Sequence, residues 1–134
     1  MTAFELITPG TLPPANGYSH VAEIAPGSRI IWTSGQVPIS AEGVFAPAGD
    51  WAAQTRQVMV NVGAALEAGG AGWQDVFKLT IYVVDTAALP VVRAVRDEFI
   101  DVSRPPTSSL VRVAGLFHPD ILIEIEAVAA VPAG

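Results

Sequence analysis

Two glutamates stand in register in "DILIEIEAVAAV", residues 120–131, and they are the acids most able to do chemistry in this chain. A strand repeats every two residues, so Ile121, Ile123, Ile125 and Ala127 share one face while Leu122, Glu124, Glu126 and Val128 share the other. The second face is too apolar for a solvated surface and too charged for a core, which predicts a partly dry cover. In that setting a carboxylate can hold a water and move its proton. It can equally be an interface acid satisfied by an arginine or by backbone amides. Other chemistries are short of residues. There is no cysteine, and the two histidines, His20 and His118, lie far apart without acids at ligand spacing, so no metal site is expected. The serines of "TSGQ" and "TSSL" have no neighbouring histidine as a base, and "EAGGAGW" follows a helix instead of opening one, which makes it a C-cap and not a phosphate cradle.

The elements that position these residues follow from pattern. "SHVAEIAPGSRIIWTSGQVP" gives two short β-rich runs joined by Pro26-Gly27-Ser28, which predicts a hairpin. From Asp50, an N-cap, a helical stripe of Trp51, Thr55, Val58, Val62, Ala65 and Leu66 runs to Gly69-Gly70. "VFKLTIYVV" predicts a strand with Phe77, Leu79, Ile81 and Val83 on one side. A second helix is expected over about 89–100, with Leu89, Val92 and Phe99 inward and Arg93, Arg96 and Asp97 outward. Pro105-Pro106 then feeds a strand with Ser108, Leu110 and Arg112 on one face. The expected order is β-β-α-β-α-β-β: an α+β domain over 1–134, its mostly antiparallel sheet carrying both helices on one face.

Composition narrows the partners. Of 134 residues, 51% are hydrophobic and only 15% charged, so part of the apolar surface is expected to be buried between subunits. A net charge of −6 removes the usual drive toward nucleic acid. The first residues lack a signal-peptide pattern and no apolar run reaches membrane-spanning length, which predicts a cytoplasmic protein with no membrane partner.

Four collinear segments resemble the RidA (YjgF) family of reactive-intermediate deaminases: "ANGYSH" at 15–20, "TSGQVP" at 33–38, residues 52–83, and "IEIEAVA" at 123–129. The resemblance implies a chorismate-mutase-like fold and a homotrimeric barrel with three inter-subunit clefts. It also implies hydrolysis of enamines and imines to a carbonyl compound and ammonia without a cofactor. It assigns Glu124 as the active-site acid, Tyr18 as the phenol closing the cleft, and Ser34, Gly35 and Gln36 as ligand-contacting residues. Glu126 is expected at an interface or rim.

The pattern breaks on the last but one strand. Relatives carry an arginine there that grips the substrate carboxylate, and this chain has Ser108; Leu110 stands where a cysteine is common. Losing a charge-assisted pair costs about 1.5 to 3 kcal/mol of binding. The expected ligand is therefore less anionic or more apolar than a simple 2-imino acid, unless another arginine substitutes. Arg93 falls where many relatives carry a ligand-facing asparagine, Arg104 precedes the prolines, and Arg112 shares the face of Ser108 about 13 Å along the strand. A protein that kept the cleft as a binding site and lost the chemistry is the competing expectation. Some relatives carry a ribonuclease label, which the acidic charge balance disfavours.

Overall fold

Asp50 opens the long helix α1 (Trp51–Ala68) by accepting a hydrogen bond from the Ala53 N–H at 2.9 Å, and Gly69 closes it with its own N–H directed to Ala65 and Leu66 carbonyls. In the computed structural model, which describes residues 2–134, α1 buries Thr55, Val58, Met59, Val62 and Leu66. They pack on a four-stranded sheet of β3 (Arg29–Trp32), β4 (Val76–Val83), β5 (Thr107–Arg112) and β6 (Ile123–Val131), in spatial order β3-β6-β4-β5. Leu79, Ile81 and Val83 of β4 and Ile123, Ile125, Ala127 and Ala129 of β6 supply the sheet side of this core. Helix α2 (Leu89–Arg96) adds Val92 to it. Its crossover returns the chain alongside β4, so β4 and β5 are parallel, while the other pairings are antiparallel.

Five expectations are corrected. An additional N-terminal strand, β1 (Phe4–Ile7), makes the order β-β-β-α-β-α-β-β. It pairs with β2 (Val21–Ile24), so β2 and β3 do not form a hairpin. The turn between them exists, with Gly27 at φ +78°, but it passes the chain from one sheet to another, because β3 finds a longer partner in β6. Phe77 leaves the face assigned to it. The register slips between Val76 and Lys78, Val76 enters the main core, and Phe77 packs instead on Phe4 in a second cluster with Ala3 and Ala130. Helix α2 ends at Arg96, one turn early, and Arg96 points inward: it is buried beneath the Asn16-Gly17 turn, where a β-carbon on Gly17 would lie 3.0 Å from its Nη2.

The sheet face turned away from the helices carries Trp32, Lys78, Thr80, Tyr82, Ser109, Val111, Glu124 and Glu126, as the strand registers require. Trp32 is 71% exposed there and Ile30 beside it 49%, an uncovered apolar patch of the kind monomers seldom present. Among the described residues, no helix is long and apolar enough to cross a membrane.

Candidate functional site

Glu124 is placed by the join between β6 and the loop after β3. Thr33 N–H donates to the Ala127 carbonyl at 3.0 Å, and Ala127 N–H donates back to Thr33 Oγ1 at 3.0 Å. Gln36 and Ile125 then exchange both backbone bonds, at 2.8 and 3.1 Å. Residues 33–36 thus span three steps against two on β6, the count of a bulge, and Ser34-Gly35 stands out over Glu124. Gly35 is not at positive φ; it is needed for space, since a β-carbon there would overlap the Glu124 carboxylate, with 2.8 Å to its Cδ. Asn61 of α1 holds the following turn, donating from Nδ2 to the Val37 and Ile39 carbonyls at 2.9 and 2.8 Å. Gln36 folds back, its Nε2 donating to the Ser34 carbonyl at 3.3 Å.

Burial raises the pKa of Glu124 above its ordinary value, and the negative charge of Glu126 adds to the rise. Its affinity for a proton is therefore increased, which suits a group that must take one from water and return it. Glu126 accepts a hydrogen bond from Tyr82 Oη at 2.5 Å, and this bond is the main reason the phenol's pKa is raised. Tyr82 lies directly opposite Glu124 in the β4–β6 register, so the three residues form one polar patch on the face away from the helices.

Tyr18, Ser108, Leu110 and Arg93 come together elsewhere. Ser19 does the joining: its Oγ donates to the Pro105 carbonyl at 2.6 Å and its N–H to the Pro106 carbonyl at 3.1 Å, which stitches the segment before β2 to the entrance of β5. Tyr18, stacked edge-on against His20 with ring centroids 5.2 Å apart, is thereby carried beside Ser108. A cavity of about 160 Å³ is lined by Asn16, Tyr18, Val92, Arg93, Arg96, Ser108 and Leu110, with Ile81 as its floor. Of the three arginines considered as substitutes, only Arg93 lines it. Arg104 stacks over the Phe4 ring at 4.6 Å, donates to the Phe4 carbonyl, and faces a separate, larger groove along β1. Arg112 is exposed and donates to the Val84 carbonyl.

Within one chain these are two separate patches. Ser108 and Leu110 pair with Leu79 and Ile81, on the helix-facing side, whereas Glu124 points to the other side. β4 lies between the two strands, which puts β5 and β6 about 10 Å apart. Sequence reasoning named members of both halves and missed Ser19, Asn61 and Arg96. Ser19 and Asn61 act through backbone carbonyls far away in sequence, a partnership that no local pattern carries. Arg96 was assigned outward by helical periodicity, which cannot register a turn folded over that face.

A family model described as "Endoribonuclease L-PSP" matches residues 9–131. The chain is 39% identical over 118 residues to 2-iminobutanoate/2-iminopropanoate deaminase of Escherichia coli, covering 87% of this chain and 90% of the relative. It is 35% identical over 128 residues to 3-aminoacrylate deaminase RutC of Acinetobacter baylyi, covering 95% and 98%. Among solved structures, the Rid-family protein YyfB from Yersinia pestis superposes with a TM-score of 0.85 at 34% identity, covering 97% of this chain and all of that one.

Proposed function

Because this chain belongs to the RidA/YjgF/RutC (endoribonuclease L-PSP) family, we propose that it hydrolyses an enamine or imine intermediate to a carbonyl compound and ammonia, with no cofactor. The observation that carries this reading is the placement of Glu124, a half-buried carboxylate of raised proton affinity pressed against Gly35 on an uncovered sheet face. An enamine protonated on carbon becomes an iminium ion, the same species as an imine protonated on nitrogen, and it is electrophilic at carbon. Glu124 orients a water toward that carbon and takes its proton as the C–O bond forms. It then returns the proton to nitrogen, the C–N bond breaks and ammonia leaves, and Glu124 takes the hydroxyl proton as the C=O bond closes, passing it on to ammonia as ammonium. Tyr18 donates to the ligand and closes the cavity, and the Ser34-Gly35-Gln36 loop supplies backbone contact.

Read as half-sites, the two patches call for a second chain. In a homotrimer, the Glu124 face of one subunit meets the Tyr18–Ser108 cavity of its neighbour, giving three shared clefts and covering Trp32. Ser108 argues against simple 2-imino acids as substrates, because β5 offers no bidentate grip for a carboxylate on the imine carbon. The curated relatives differ on this point by name: one acts on 2-imino acids and the other on 3-aminoacrylate, whose carboxylate is one carbon removed from the amine-bearing carbon.

The test generates imines in place with an amino-acid oxidase and lets semicarbazide compete for them. The protein should suppress semicarbazone formation for some substrates among acidic, apolar and amide-bearing imines, and Glu124→Gln should abolish that suppression. Unchanged turnover in Glu124→Gln, or no rate enhancement by a folded oligomer, would sink the proposal. A second reading, a small-molecule binding or regulatory protein without chemistry, is favoured by Ser108 alone. It predicts a metabolite that raises the melting temperature and is recovered intact.

A further inference from the structure

We propose that Arg96, seconded by Arg93, forms a carboxylate-binding end of the cavity beside Ser108, so that the ligand is anionic and is held from α2 instead of from β5. Assigning this anion as the substrate's rests on the hydrolase reading above; the anion site itself does not.

Three observations carry it. Arg96 is 8% exposed at its side chain, and its one ion-pair partner among the described residues, Asp97, is 41% exposed and on the solvent side. A guanidinium buried this deeply has a single half-solvated acid to balance its charge, and a purely packing role is better met by an apolar side chain of similar length. Asp97 Oδ1 accepts from both Nε and Nη2, at 3.1 and 2.9 Å, which holds the guanidinium in place; Nη1 has no hydrogen-bond partner among the described residues. Arg93, three residues earlier on the same face of α2, lines the same cavity, and no acid does. Two guanidiniums therefore share a cavity of about 160 Å³ with neutral Asn16, Tyr18 and Ser108. A carboxylate is the complement such a fork recognises, and Arg96 is ordered before the ligand arrives. The expectation of a less anionic ligand, drawn from Ser108 alone, is replaced by a displaced cationic site.

The experiment titrates the intact oligomer with butanoate and with butanamide, which match in size and differ in charge. Wild type should prefer butanoate by at least about tenfold, the scale of a charge-assisted hydrogen bond. Arg96→Met should erase the preference, and Arg96→Lys should keep part of it. Equal binding of the two probes by wild type overturns the proposal, as does a preference that survives in folded Arg96→Met. Should Arg96→Met fail to fold, the Arg96 Nε–H resonance of wild type gives the answer: it must shift on saturation with butanoate and stay in place with butanamide, and an unmoved resonance overturns the site. In the hydrolysis assay, Arg96→Lys should raise KM for acidic imines with little change in kcat, whereas Glu124→Gln should lower kcat for every substrate. Loss of the first pattern with retention of the second rejects the anion site and leaves the hydrolase reading standing. Charge discrimination in a protein without turnover does the reverse.

Discussion

Glu124 owes its character to two neighbours that can be altered separately. Burial is the larger cause of its raised pKa and Glu126 the smaller, so Glu126→Gln should move the acid limb of the kcat/KM profile toward lower pH without returning it to the ordinary carboxylate range. Glutamine keeps an acceptor for Tyr82, so a shift would report charge and not a broken contact. The linkage has a definite sign. A carboxylate whose folded pKa is raised favours folding while protonated, and that contribution is lost as pH rises through the folded value. Glu124→Gln should therefore melt higher than wild type above that value, and the gain should vanish below the ordinary glutamate range. Gly35 belongs to the same scale. Because its β-carbon would occupy the carboxylate's position, Gly35→Ala should displace Glu124 and lower kcat by roughly tenfold or more, the order expected for misplacing a catalytic group by about 1 Å. A crystal structure of that variant would show whether the carboxylate had moved.

At the scale of elements, periodicity carried most of the fold. The α1 stripe, the β6 alternation, and the shared face of Ser108, Leu110 and Arg112 were all legible because burial imposes periods of 3.6 and 2 on residue choice. What it could not carry was partnership. Four residues of β1 have no strong pattern of their own and become a strand only by pairing with β2. The slip at Phe77 is set by Phe4, seventy-odd residues away in sequence. Gln54 is the polar counterpart. It is 1% exposed at the start of α1's buried stripe, donating to the Asp120 carbonyl at 2.7 Å and accepting from the Leu122 N–H at 2.8 Å. It ties the helix to the entrance of β6, two residues before Glu124. Gln54→Leu takes away the partner of both backbone groups and should cost about 1 to 3 kcal/mol of stability, measurable by chemical denaturation.

For the whole molecule, the deciding feature is the uncovered sheet face. Trp32 at 71% exposure is the residue on it with most to gain from cover, so Trp32→Lys should shift the protein toward monomer in light scattering and remove activity, although Trp32 is not itself a ligand contact in the proposed cleft. The candidate site was legible as a set of residues and not as a place, because the strand registers that put Glu124 and Ser108 on opposite faces exist only once β4 has paired with both neighbours. In the proposed trimer, that division makes each catalytic centre the joint property of two polypeptides. Two inactive proteins, one carrying Glu124→Gln and the other disabled at Tyr18 and Arg96, should recover part of the wild-type rate when unfolded together and refolded as a mixture. Where a chain with an intact carboxylate meets a chain with an intact cavity, a whole site reappears, and the recovered fraction should follow the binomial count of such junctions around the ring.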